Sequence, residues 1–201
     1  SALRGNIGAE LTALLRASGQ TQLPFLPAYP KVGRTTQGGV HLIKGMPVAE
    51  SVFGQDPFEP VRHSHVAQIL GEQSSAPVCV SQALKEGDPL PEAEGILVFD
   101  GATEQELAST GERLLKGGRL HIMAGCAGFG GVLPQLLGLT SGRCQEMPKL
   151  DKRLLVICGS VNPITVAQMD AAERAGIVRW QMTPEQKLQP NYWQTERGER
   201  E

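Results

Sequence analysis

Nowhere does this sequence hold an apolar run approaching the roughly 20 residues that cross a bilayer as a helix, so no transmembrane segment is expected. Its opening, Ser1-Ala2-Leu3-Arg4-Gly5, lacks a basic region followed by an apolar core, so no signal peptide is expected, and there is no initiating Met. Cysteine is scarce. Cys79, Cys126, Cys144 and Cys158 are scattered and form no C-x-x-C pair, which argues against a disulfide scaffold or a zinc site. Cys79 and Cys158 fall in apolar, strand-like runs, where a cysteine is expected to be a small buried hydrophobe. Neither sign of charge dominates: 19 basic residues face 21 acidic ones, for a formal net charge of −2. That balance excludes a broad electrostatic footprint for nucleic acid and leaves room only for a local patch. The cytoplasm is the expected location.

What is present is an ordinary globular composition, 40% hydrophobic and 20% charged, over 201 residues. That length suits one domain or two small ones with a real core. Ile7, Leu11, Leu14 and Leu15 predict a helix opening at Gly5-Asn6 and stopping near Ser18-Gly19. Leu23 to Ala28 reads as a strand weakened by its prolines. Gly33 to Gly39 reads as a glycine-rich loop before a strand from Val40 to Ile43, and Ser64 to Leu70 as two helical turns.

Pro77 to Ser81 and Gly95 to Asp100 read as strands, and Thr103 as the cap of a helix from Glu104 to Lys116. Leu120 to Ala124 predicts another strand, and the Gly125 to Gly131 run leads into an apolar helix containing Pro134. After a polar stretch from Thr140 to Lys149, Leu154 to Cys158 reads as a strand apolar on both faces, then a loop and a helix from Ile164 to Ala175. Residues 191–201 read as an exposed tail. Apolar strands alternating with helices predict an α/β fold: a mostly parallel, Rossmann-like sheet flanked by helices.

In such sheets ligands meet the carboxyl ends of the strands. Three loops occupy that position: Asp100 to Thr103, Gly125 to Gly131, and Gly159 to Asn162. Their glycines could bring backbone N–H groups to an anion, or could serve only tight strand-to-helix turns. The glycines at 125, 128, 130 and 131 do not fit G-x-G-x-x-G, because Leu133 stands at the last position, and no phosphate-loop motif occurs. Arg4 and Arg34 each lie beside glycine. Each could present a guanidinium fork to a carboxylate or remain a solvated surface charge. Asp100 could cap the next helix or face a ligand. His63 and His65 lack a third ligand. His41 and His121 fall inside strand patterns and are expected to be packed or locally satisfied. No metal ligands and no Ser-His-Asp arrangement can be read.

Five segments, taken together and in order, resemble the four-carbon acid sugar kinases. They are Leu3-Arg4-Gly5-Asn6-Ile7-Gly8-Ala9-Glu10, Pro27-Ala28-Tyr29-Pro30 running into Gly33-Arg34-Thr35-Thr36-Gln37-Gly38-Gly39, Asp56-Pro57, Ala124 to Phe129, and Cys158 to Gln168. The resemblance runs to about Gln186. It implies a two-domain kinase that uses ATP and Mg2+ to phosphorylate the terminal hydroxyl of a threonate, erythronate or 3-oxo-tetronate. Arg4, Asn6, Arg34, Asp100, Gly125 and Gly128 would then lie on the substrate side, and Ser160 near the nucleotide. The implied partition is 1–150 for sugar-acid binding, 151–190 for the start of a nucleotide domain, and 191–201 for the tail.

The family's Asp-Asp-x-Thr-Gly-Ala strand-loop, which would hold the catalytic acid residues, is expected upstream of Ser1. Its Gly-Gly-Glu-Thr-like nucleotide loop is expected beyond Glu201. This chain alone is therefore expected to be inactive as a kinase, and a non-catalytic sugar-acid binding module is the alternative. Missing first strands would leave an open sheet edge, expected to be covered by a second copy or a rearranged terminus. No nucleic-acid or membrane partner is expected.

Overall fold

A computed structural model describes residues 3–57, 59–140, 142, 146, 149, 153–160 and 162–201. They fall into two compact units, 1–143 and 144–201. In the first, helix α1 (Ile7–Ser18) ends on Gly19, whose φ of 66° supplies the left-handed stop that a residue with a Cβ resists. Strand β1 (Gln22–Leu26) follows, then a hairpin of β2 (Arg34–Gln37) and β3 (Val40–Ile43), with the short β4 (Met46–Pro47) beside it. Helix α2 (Val66–Gly71), β5 (Val78–Ser81), β6 (Gly95–Phe99) and α3 (Glu104–Lys116) come next, and β7 (Ala124–Gly125), α4 (Ala127–Gly130) and α5 (Leu133–Leu136) complete the unit. Thr103 caps α3 as its sequence predicts, its side chain accepting from the Glu106 N–H.

The main sheet runs β5-β6-β1-β7 with every pair parallel, and β2-β3-β4 form a separate antiparallel sheet. Side-chain alternation splits the core between the two faces of the parallel sheet. Leu23, Phe25, Ile96 and Val98 join Leu11, Val66, Ile69 and Leu70 on one side. Leu26, Leu97 and Phe99 join Leu107, Leu114 and Phe129 on the other. The fold is the α/β arrangement the sequence predicts.

Three strand predictions need correction. Arg34–Gln37, read as loop, is strand: Gly38 and Gly39, both at positive φ (57° and 76°), make the two-residue turn of a hairpin that pairs Gln37 with Val40. Leu120–Ala124 is strand only at its end, and the cause lies in Pro24. The Thr21 carbonyl accepts from the Gly95 N–H, so odd-numbered residues of β1 turn their backbone groups toward β6. Pro24 therefore turns its nitrogen toward β7 with no hydrogen to donate, and that ladder starts only at Phe25 opposite Ala124. His121 is correspondingly exposed rather than packed in a strand.

Leu154 to Cys158 is not a strand. Leu154, Leu155, Val156 and Ile157 are 73–89% exposed, because no described segment of the second unit is a strand that could pair with them. Cys158 is exposed with them, Cys79 is half-buried, and Cys144 lies outside the described residues. The α-helices among the described residues of the second unit are α6 (Pro163–Arg174), α7 (Pro184–Leu188) and α8 (Glu196–Arg200). Residues 191–201, expected to lack pattern, fold around Tyr192. Its ring is 2% exposed and its hydroxyl donates to Glu201 at 2.6 Å.

Candidate functional site

Because all four strands of the main sheet are parallel, their carboxyl ends share one edge, and Asp100 and Gly125 lie there together with the exit of β1 at Pro27–Tyr29. The β2–β3 hairpin is bound to this edge at two levels. Tyr29 and Arg34 exchange backbone hydrogen bonds at 2.7 and 3.1 Å, and Thr36 and Gly101 do so at 3.1 and 2.9 Å. Arg34, the first residue of β2, is thereby placed beside the exit of β1. Its guanidinium carbon stands 5.5 Å from the centre of the Phe53 ring, a cation–π contact.

Three residues beyond Phe53, Asp56 binds Arg4 at 2.7 Å, and its side chain is 13% exposed. One loop thus engages both arginines. Arg4 and Asn6 line a cleft of about 160 Å3 with Arg62, Glu72 and Gln73. Asn6 sits at the N-cap of α1 without capping it, so its amide remains available to the cleft. Gln73 holds this segment in shape, accepting from the Gly8 N–H at 2.8 Å and donating to the Gly5 carbonyl at 2.7 Å.

Asp100 neither caps α3 nor stands free: its two carboxylate oxygens accept from the N–H groups of Gly38 (2.7 Å) and Gly39 (2.9 Å). Gly125 and Gly128 serve close approach. A Cβ on Gly128 would collide with the Ala28 carbonyl and lie 2.7 Å from the Tyr29 Cα, and one on Gly125 would lie 3.1 Å from the Leu26 carbonyl. Ser160 belongs to the second unit, where it is exposed and its hydroxyl accepts from the Asn162 N–H at 3.1 Å. Among the described residues no group of three or more His, Cys, Asp or Glu could hold a metal ion.

Residues that sequence reasoning passed over are Arg62 and Gln73, whereas His41, expected to be packed, is so. His41, in β3 of the hairpin, is completely buried, its Nδ1 3.1 Å from the Thr36 hydroxyl and its Nε2 without a hydrogen-bond partner. Burial, aided by the nearby Arg34 charge, lowers its pKa to about 4. Gln73 carries no local signal, since its partners lie more than 60 positions away.

A family profile described as a sugar-binding N-terminal domain matches residues 1–133, the span that contains both arginines, the hairpin and the sheet edge. The chain belongs to the four-carbon acid sugar kinase family. It is 34% identical to a D-threonate kinase of Salmonella typhimurium over 86% of its length, and 30% identical to a D-erythronate kinase of Heliobacterium modesticaldum over 87%. The chain spans only 41% and 42% of those two relatives. Among solved structures it resembles a domain of unknown function from Bordetella bronchiseptica, a domain-swapped dimer with bound citrate. The TM-score is 0.56 at 25% identity, covering 96% of this chain and 46% of the other. Membership of the family was legible in the five sequence segments.

Proposed function

We propose that this chain is the acid-recognising part of an ATP-dependent kinase that phosphorylates the terminal hydroxyl of a four-carbon sugar acid of the threonate, erythronate or 3-oxo-tetronate type. The observation that carries this reading is the pair of arginines engaged by one loop beside the carboxyl edge of the sheet: Arg4 through Asp56 and Arg34 through Phe53. A guanidinium fork matches a carboxylate, and the small cleft next to Arg4 and Asn6 suits a compact, hydroxyl-rich anion. The citrate held by the Bordetella neighbour, itself a carboxylate, supports the same ligand chemistry. In this reading Arg4, Asn6 and Arg34 meet the acid, while Gly125 and Gly128 let the turn after β7 close against the exit of β1.

ATP and Mg2+ enter through the reaction class. In the second unit an exposed loop at Ser160 leads into α6, whose start is capped by the Asn162 side chain. That loop and helix start do not by themselves make a nucleotide cradle. The chain alone is accordingly proposed to bind the acid without turning over ATP. A cytoplasmic location, where such a nucleotide is available, goes with this reading. The short β7, terminal in the sheet among the described strands, suits pairing with a second copy, an idea supported by the domain-swapped dimer of the Bordetella neighbour.

Isothermal titration of the chain with D-threonate and D-erythronate tests the proposal. Binding of at least one acid is expected, weakened about tenfold or more by Arg34→Ala, the scale of one charge-assisted hydrogen bond. Absence of binding to every four-carbon acid, or unchanged affinity in Arg34→Ala, would overturn it.

A further inference from the structure

We propose that Asp100 is a positioning residue for this site: it latches the β2–β3 hairpin to the carboxyl end of β6 and so holds Arg34 in place. The inference rests on the reading of Arg34 as a substrate residue and adds the part that sets its position. Asp100 is itself fixed, its backbone N–H donating to the Ser81 carbonyl of β5 at 2.9 Å. From there its carboxylate spans the hairpin turn, Oδ2 accepting from Gly38 at 2.7 Å and Oδ1 from Gly39 at 2.9 Å. Two consecutive N–H groups can converge on one carboxylate here because both residues adopt positive φ.

The turn is also closely flanked by side chains. A Cβ on Gly39 would lie 2.8 Å from the His65 ring and 3.0 Å from a Val80 methyl, so a side chain there would have to displace them. Next to the latch, Thr36 and Gly101 exchange their hydrogen bonds, and two residues further back Arg34 is bonded to Tyr29. Binding of the hairpin at its tip, middle and base leaves the Arg34 backbone one position relative to the sheet edge. A short β-ribbon tied down at its base alone would sway, and each ångström of sway at the guanidinium weakens a bidentate contact. The carboxylate of Asp100 thus acts through the hairpin and not by touching the acid.

The test measures amide hydrogen exchange at Gly38 and Gly39, the ring-current shift of the Arg34 side-chain protons over Phe53, and affinity for D-threonate. It uses the full chain and its Asp100→Asn, Asp100→Glu, Arg34→Ala and Asp100→Asn/Arg34→Ala variants. Asp100→Asn is close in shape but replaces one acceptor with a donor, while Asp100→Glu keeps the charge and moves it by one methylene. Either variant is expected to speed exchange at both glycines about tenfold, reduce the Arg34 shift and weaken binding by a similar factor, the scale of a lost charge-assisted bond. In the Arg34→Ala background, Asp100→Asn is expected to cost no further affinity, a coupling that general destabilisation would not produce. Wild-type exchange and an unmoved Arg34 shift in both Asp100 variants would overturn the latch. Additive losses in the double variant would overturn action through Arg34 and indicate direct contact with the acid. If the wild-type chain binds no acid, the sugar-acid reading fails, while the exchange rates and the Arg34 shift still decide the latch.

Discussion

His41 illustrates what a single buried residue can impose on this protein. In the folded chain it takes up a proton only below about 4, whereas an unfolded histidine does so near 6.5. Its contribution to stability is therefore complete above pH 6.5, is lost progressively as pH falls toward 4, and levels off below that, where both states are protonated. The amplitude of this window is on the order of 3 kcal/mol. Urea unfolding at a series of pH values should show the decline in the wild type and a flatter profile in His41→Asn. Equal slopes in the two proteins would show that His41 is not the titrating group. Asp100 teaches a related lesson. As a strand-end carboxylate it is visible in the sequence, but its two acceptors go to Gly38 and Gly39, more than 60 positions earlier.

At the level of elements, the site depends on how tightly the turn after β7 closes on the exit of β1. Helix α4 runs so near Ala28 and Tyr29 that Gly128 has no room for a side chain, and the obstructing atoms are backbone, which cannot rotate away. Cys126 adds to this closure, its sulfur lying 3.2 Å from the carbonyls of both Pro27 and Ala28. Gly128→Ala should push α4 off the sheet edge and destabilise the chain by about 2 kcal/mol, the usual scale for overpacking. Thermal unfolding measures it, and a melting temperature within a degree of wild type would refute the close-approach account. Glycine at position 128 was legible as a turn or anion signal, but which of these it serves depends on an atom of Ala28, 100 residues earlier in the sequence.

The whole molecule divides its core unequally. The first unit covers both faces of its sheet, whereas among the described residues of the second the only fully buried apolar side chain is Tyr192. Both tryptophans of the chain, Trp180 and Trp193, lie in the second unit, and all the strands among the described residues lie in the first. Tryptophan fluorescence and the strand signal in circular dichroism therefore report on different units. Fluorescence is expected to change at lower urea than the dichroism, because less buried apolar surface gives less to resist denaturant. Coincident curves would show one cooperative unit.

The sequence by itself determined the α/β class, the helices α1, α2, α3 and α6, the Thr103 cap, the strands flanked by clear turn residues, and the family. Those features rest on periodicity, capping and local motif order, all of which are written within a few residues of one another. It misjudged Leu154 to Cys158, since apolar character makes a strand only where another strand accepts its backbone bonds. Only the tertiary structure decided that Arg4 and Arg34 are engaged by one loop and that Asp100 grips a hairpin. Each of these depends on groups far apart in the chain meeting at bonding distance. The chemistry of a residue is local, but its partners are set by the fold.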